Sequence, residues 1–212
     1  MPILCLGLSH HTAPVELRER LNYTPAALAT ALAGFAPAGG LDELVILSTC
    51  NRLELYAASP GPVAHTPTAP DDHAALFAAL VRFVAESHGL ASADLDDKFY
   101  RLAGRAAIEH LGRVAGGLES MVLGEPQILG QVTHAYTLAA ARGAAGPVLS
   151  ALFRAASHAG KRARAETGIS RNPATISSVA VKLAEKVVSP LAQRQVLIVG
   201  AGQMAEIGRA HV

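Results

Sequence analysis

The chain has 212 residues, half of them hydrophobic, only 4% aromatic with no tryptophan, and a formal net charge of +1. This balance fits a soluble globular protein of one or two domains with a core of small aliphatic side chains, and its alanine content favours helices. It excludes a surface that is basic overall, so any nucleic-acid contact has to come from a local patch.

No apolar run approaches the ~18–20 residues of a membrane span, and the N-terminus lacks the basic start and small-residue cleavage site of a secretory signal. No membrane association is expected, and a cytoplasmic location is. Cys5 and Cys50 lie far apart without a second ligand at metal spacing, so free thiols and no metal site are expected.

In chain order, residues 3–8 (ILCLGL) form a continuous apolar run of strand length. A short helix fits HTAPVELRERL, and a second follows Thr24 and Pro25, a helix cap and first-turn proline. Glu43–Leu47 and Leu53–Ala57 read as strands. A proline-rich loop leads to a helix that starts at Asp71 or Asp72, carries Leu76, Leu80, Phe83 and Val84 on one face, and ends near Gly89. A fourth strand fits Lys98–Leu102. The order predicts an α+β fold: a ferredoxin-like βαββαβ unit over 1–103, with an antiparallel sheet and helices on one face.

From about 104 to 170 the pattern is helical. Ile108, Leu111, Ala115 and Leu118 suggest one stripe, and Ile128, Val132, Ala135 and Ala139 another after Pro126. Residues 1–170 are expected to be one domain. Residues 171–194 then form a linker helix, with Asn172 as cap, Pro173 in the first turn and Pro190 as stop. Its stripe is Ile176, Val179, Leu183 and Val187, and its rod is roughly 25 Å long. Residues 195–212 open a dinucleotide-binding unit: an apolar strand runs into Gly200-Ala201-Gly202-Gln203-Met204-Ala205, a GxGxxA turn suited to a pyrophosphate at a helix N-terminus.

Four groups of residues carry possible chemistry. In LVILSTCNRLELYAAS, Cys50 sits where one strand gives way to the next, and Arg52 follows. A thiol there can be a nucleophile whose pKa a cation such as Arg52 lowers, and Arg52 can hold a carboxylate; a small core cysteine is the other reading. In GLESMVLGEPQILGQV, Ser120, Glu125, Gln127 and Gln131 gather near one helix N-terminus, as a polar recognition group or an ordinary exposed face. His110 is a general acid or base only if it lies near Cys50. Lys161, Arg162, Arg164 and Arg171 are either a solvated helix face or a phosphate contact.

The blocks GLSHHTAPVELRERL, STCNRLELY, GLESMVLGEPQILGQV, GISRNPATISSVAVKLA and VLIVGAGQM, in this order, resemble the glutamyl-tRNA reductase family and cover most of residues 5–205. The resemblance implies that Cys50 attacks the ester joining glutamate to its tRNA. It implies further that NADPH reduces the resulting thioester to glutamate-1-semialdehyde for tetrapyrrole synthesis. It places Thr49, Asn51 and Arg52 beside the nucleophile, and Ser120, Glu125, Pro126, Gln127 and Gln131 at the remaining glutamate-binding positions. His110 takes the place of a histidine important for activity, and residues 200–205 that of the NADPH turn. Charge complementarity suggests Arg52 for the substrate's side-chain carboxylate and Glu125 for its ammonium.

The implied architecture is a catalytic domain, a spinal helix, an NADPH domain and a dimerisation domain. Implied partners are glutamyl-tRNA, glutamate-1-semialdehyde aminomutase and a second copy of the chain. Because the sequence stops at Val212, ten residues after Gly202, the nucleotide domain is only begun. The expectation is a chain that forms and slowly hydrolyses the thioester without sustaining reduction. The alternatives are a remnant that binds glutamyl-tRNA or a partner without turnover, and a cysteine hydrolase of small esters.

Overall fold

A computed structural model of the chain describes residues 2–35, 40–59, 73–170 and 176–188, and residues 195 and 197 besides. Four strands, β1 (Ile3–Ser9), β2 (Glu43–Ser48), β3 (Arg52–Ala58) and β4 (Tyr100–Ala103), form one sheet in the order β2-β3-β1-β4. All neighbours are antiparallel, with Cys5 opposite both Tyr56 and Leu102, and Gly7 opposite both Glu54 and Tyr100. Each strand lies where an apolar run predicted one, although β4 starts at Tyr100 rather than Lys98.

Between β1 and β2 lie α1 (Val15–Arg20) and α2 (Pro25–Ala33); the Thr24 hydroxyl accepts from the Ala27 amide at 3.2 Å and so satisfies one of the free N–H groups of α2. Helix α3 (Ala74–His88) ends on Gly89 at φ 63°, a left-handed stop. Its expected start at residue 71 or 72 lies outside the described residues.

The register divides the sheet's side chains into two faces. Leu4, Leu6 and Leu8 of β1 share a face with Leu53 and Leu55 of β3, and α3 and α2 pack on β1 and β2. The opposite face carries Cys5, Gly7 and Ser9 beside Tyr56, Glu54 and Arg52. That face is not open, as helices on one side alone would leave it. It is covered by α4 (Arg105–Gly116), α5 (Gln127–Ala141) and α6 (Pro147–Glu166). Phe153 of α6 meets Tyr56 edge-on at 5.3 Å. All seven residues of β3 are buried for this reason. The helical segment after residue 104 forms a second layer on the sheet, where helices on one face only were expected, and encloses β3 on both sides.

This packing also corrects the face of α4. Leu111 and Ala115 are buried as expected, but Ile108 and Leu118 are exposed and Ala107 and Val114 take their places. On α5, Ile128, Val132, Ala135 and Ala139 are all buried.

Glu43, on β2 and 5% exposed, ties the sheet to the helices. Its two carboxylate oxygens accept from the amides of Val148 and Leu149 at 3.0 and 2.7 Å, which places a negative charge on the first turn of α6. Glu43→Leu keeps a similar bulk but leaves both amides without acceptors. Urea unfolding is expected to show a loss of about 2–4 kcal/mol. A loss below about 0.5 kcal/mol would contradict the capping role.

Helix α7 (Ile176–Val188) packs extensively on no other described element, and Val179, Leu183 and Val187 are exposed. The expected caps at Asn172, Pro173 and Pro190 and the whole turn at 200–205 lie outside the described residues. No helix among the described residues is long and apolar enough to cross a membrane.

Candidate active site

The link between β2 and β3 is built by one hydroxyl. Thr49 Oγ1 accepts from the amides of Asn51 and Arg52 at 3.2 and 3.1 Å, and the Thr49 amide donates to the Arg52 carbonyl at 2.9 Å. This local closure lifts Cys50 to the tip, where it is exposed; Cys5, the other free cysteine, is buried in β1. A core role for Cys50 is thereby ruled out.

Helix α1 holds the turn from one side. Arg18 donates through Nη1 to the Cys50 carbonyl at 2.9 Å and to Asn51 Oδ1 at 3.0 Å. From the other side, the His10 amide donates to the Asn51 carbonyl at 3.0 Å.

Arg52 points the opposite way from Cys50, into the layer between sheet and helices, and is 3% exposed. Its Nη1 meets Glu54 Oε1 at 2.6 Å, and its Nη2 donates to the Glu119 carbonyl. Glu54 is fully buried and surrounded by donors. Tyr100 reaches Oε1 at 2.6 Å, His110 Nε2 reaches Oε1 at 2.9 Å, and Tyr56 reaches Oε2 at 2.7 Å. Because a carboxylate only accepts, the His110 proton engaged here sits on Nε2. Burial pushes the Glu54 carboxyl up, but the His110 hydrogen bond and the Arg52 charge outweigh it and bring its pKa down to about 2. Gly7 leaves the space: a Cβ there would stand 2.6 Å from the Tyr100 ring.

The loop between α4 and α5 closes over the Cys50 turn. Its shape depends on Gly124, at φ 76°, whose Cβ would strike the Ile169 carbonyl. Arg164 secures the loop from α6, donating to the carbonyls of Ala115 at 2.7 Å and Glu125 at 3.0 Å. Ser120, Glu125 and Gln131 are thus brought together with Thr49, Cys50, Asn51 and Arg52 around a narrow cleft. Pro126 and Gln127 are outside its lining, and so is His110. The cleft's free space is about 10 Å³, room for about one water. A second and wider groove of about 420 Å³ opens on the α1 side of the same thiol, and Thr49, Cys50, Asn51 and Met121 wall both.

The electrostatics correct one expectation. Arg52 was expected to lower the Cys50 pKa; instead burial and the Glu125 charge raise the thiol, opposed by a hydrogen bond from the residue's own backbone to sulfur and by Arg18. Arg52 is paired with Glu54 and turned away from the thiol, so the cation acting on sulfur is Arg18. Glu125 itself is pushed up by burial, with Arg52 pulling the other way. Removing its charge in Glu125→Gln is therefore expected to lower the thiol pKa and speed iodoacetamide labelling of Cys50 severalfold at pH 7. An unchanged labelling profile between pH 6 and 10 would show that Glu125 does not act on the thiol.

Two other expectations are redirected. His110 faces Glu54, so its contact is with the group that holds Arg52, and general acid–base work at Cys50 has no direct geometric support. The described part of the basic run makes contacts within the chain. Arg162 pairs with Glu166 at 2.8 Å and Arg164 turns inward, while Lys161 is exposed and Arg171 lies outside the described residues. Cys5, Glu54 and His110 bring ligand atoms within 4.8 Å of one another. The Arg52 guanidinium already stands on Glu54 Oε1, and burial holds the Cys5 thiol well above its usual pKa. Sequence reasoning missed Arg18, Glu54, Tyr100 and Met121.

Residues 6–167 match the family Glutamyl-tRNAGlu reductase, N-terminal domain. A glutamyl-tRNA reductase of Syntrophotalea carbinolica is 47% identical over the whole chain, which covers 45% of that relative. One from Marinobacter nauticus is 40% identical, with 46% of it covered. A solved glutamyl-tRNA reductase from Methanopyrus kandleri superposes with a TM-score of 0.63 at 36% identity, over 97% of this chain and 45% of that one. The chain spans about half the length of the curated relatives it matches. With 162 residues inside the family match (6–167), more than half of the 212, the chain belongs to the glutamyl-tRNA reductase family.

Proposed function

We propose that this chain carries out the acyl-transfer half of glutamyl-tRNA reduction, with Cys50 as nucleophile. The observation that carries the reading is the exposed thiol at the tip of the β2–β3 turn, walled on one side by Arg52, Ser120, Glu125 and Gln131. An ester carbonyl presented there loses its alcohol to sulfur, and the acyl group stays on the protein as a thioester. Arg52, kept charged by Glu54, offers the guanidinium for the glutamyl carboxylate. Glu125, Gln131 and Ser120 offer acceptors for its ammonium, with Thr49 and Asn51 holding the turn. An ammonium paired with Glu125 also offsets the charge that, after burial, raises the thiol pKa.

The glutamyl group needs more room than the narrow cleft has. Met121 and Leu123 are exposed on the loop that roofs it, and outward movement of that loop admits the substrate. His110 acts by fixing Glu54 and through it Arg52. Pro126 and Gln127 support the site by starting α5.

The strand order and antiparallel pairing support a ferredoxin-like unit over 1–103, with the helices of 104–170 completing one catalytic domain. The exposed stripe of α7 supports a linker helix over 171–194 that other parts of an assembly cover, in keeping with a homodimer and with glutamate-1-semialdehyde aminomutase as product partner. The free cysteines suit a reducing cytoplasm. When bound, NADPH supplies the hydride that reduces the acyl group to the aldehyde; Gly200, Ala201, Gly202, Gln203, Met204 and Ala205 are the residues proposed for its turn.

The reading is tested by the release of free tRNA from glutamyl-tRNA and glutaminyl-tRNA. The chain is expected to cleave the glutamyl ester well above background and to favour it over the glutaminyl ester. Arg52→Lys, which loses the planar fork, should erase most of that preference. Normal discrimination by Arg52→Lys would remove Arg52 from carboxylate recognition.

A further inference from the structure

We propose that the side-chain amide of Asn51, held in orientation by Arg18, forms with the Cys50 backbone amide the oxyanion hole of the acyl transfer. The inference rests on Cys50 being the nucleophile. When the thiolate pair forms the Sγ–carbon bond, the carbonyl π pair moves onto oxygen and leaves a negative charge there. That charge is discharged only when the carbon–oxygen bond to the alcohol breaks, and the alcohol leaves with the proton that the thiol gave up. Fixed N–H donors beside sulfur lower the barrier by meeting the charge as it develops.

The turn's own hydrogen bonds identify the donors left for this task. The Thr49 amide donates to the Arg52 carbonyl, and the Asn51 and Arg52 amides donate to Thr49 Oγ1. The Cys50 amide takes no part in that closure and is directed at its own sulfur, the place from which a nucleophile's amide meets the oxyanion in serine proteases. Asn51 supplies the second donor. A guanidinium only donates, so the Asn51 atom that meets Arg18 Nη1 at 3.0 Å is the amide oxygen. The NH2 end is thereby turned away from Arg18, and no acceptor among the described residues engages it. Arg18 is itself fixed, donating to the Cys50 carbonyl at 2.9 Å and through Nε to the Ala13 carbonyl at 3.3 Å. Asn51 and Cys50 together wall both the narrow cleft and the wide groove, so an ester carbonyl that reaches sulfur from either side meets Asn51. Ser120 and Gln131 border the narrow cleft alone, and the Thr49 hydroxyl is engaged in the turn.

The test compares two reactions of Cys50 in the 212-residue chain. Acylation by glutamyl-tRNA passes through an oxyanion, whereas alkylation by iodoacetamide displaces iodide and forms none. Each acylation rate, measured in a single turnover at saturating glutamyl-tRNA, is divided by the thiolate fraction that the alkylation pH profile gives. Asn51→Ala is expected to slow acylation about a hundredfold to a thousandfold, with the alkylation plateau and the half-saturating concentration changed by less than about threefold. Asn51→Asp still accepts from Arg18 but has no N–H, so it keeps the turn's shape and should show the same split. Arg18→Ala, which frees the amide to rotate, should slow acylation about tenfold beyond the change in thiolate fraction. Acylation within about threefold of the parent in both Asn51 variants, with Cys50 still acylated, would overturn the oxyanion hole and leave the nucleophile standing. An equal fall in acylation and alkylation would overturn it too, since Asn51 would then act only through the shape of the turn. A raised half-saturating concentration with an unchanged saturated rate would make Asn51 a ground-state contact and overturn it as well. Acylation by Arg18→Ala that follows its thiolate fraction would remove Arg18 from the arrangement. Failure of the parent to be acylated at Cys50 would sink the thioester reading together with this inference.

Discussion

Cys50→Ala is expected to abolish cleavage of glutamyl-tRNA by this chain, with a rate loss on the order of ten-thousandfold or more, as removal of a nucleophile brings in other acyl-transfer sites. The same variant should leave unfolding free energy within about 0.5 kcal/mol of the parent, because the side chain is exposed and packs into no core. The combination is diagnostic. A structural cysteine such as Cys5, buried in β1, would show the reverse: stability lost through a cavity and little direct effect on acyl transfer. Stopped-flow measurement of tRNA release alongside urea unfolding provides both numbers. Retained cleavage by Cys50→Ala would contradict the assignment outright.

Glu54→Gln is expected to be the most damaging single change away from the thiol. The carboxylate is fully buried and receives four donors, among them the Arg52 guanidinium at 2.6 Å. With glutamine there, Arg52 remains buried and charged with no anion, which costs about 3–5 kcal/mol for a broken buried pair. A pH signature separates this from simple loss of packing. The folded carboxyl titrates at about 2 against an ordinary value of 4.5, so between those values the unfolded chain binds the proton more tightly. The stabilisation is complete above about pH 4.5 and is lost as the pH falls towards 2. Parent stability should fall with acidification through that window, and Glu54→Gln should lack this component. Parallel acid slopes for the two proteins would show that Glu54 is not held ionised by its neighbours. The variant should also lose preference for glutamyl over glutaminyl esters, because a displaced Arg52 no longer faces the cleft.

The parts of the site within one stretch of sequence were legible, and the parts joined through the sheet were not. Thr49, Cys50 and Asn51 form a self-contained turn, so their residue types alone announced it. Gln131 and Glu125 were visible because a helix start fixes what stands near it. Arg18 reaches the Cys50 carbonyl only because β1 pairs with β3, bringing Ser9 opposite Arg52 and α1 beside the turn. Nothing local to residue 18 signals that. Glu54 did leave a signal: Arg52, Glu54 and Tyr56 alternate along one face of a strand, and two charges at period two in an apolar strand demand partners if that face is covered. The face was covered because α4, α5 and α6 fold back onto it, a tertiary fact that also moved the buried stripe of α4 and redirected His110 to Glu54. Arg162 has a partner four residues on, Glu166, on an exposed helix face, as the solvated-face reading of the basic run expects.

The central claim, that glutamate is transferred to Cys50, is tested most directly by rapid acid quench of the chain mixed with glutamyl-tRNA, followed by peptide mapping in a mass spectrometer. A glutamyl adduct on the peptide containing Cys50, removable by hydroxylamine and absent with deacylated tRNA, is the expected result. Cleavage of glutamyl-tRNA with no adduct on Cys50 at any quench time would contradict the account, because the ester would then be losing its amino acid to water without passing through sulfur.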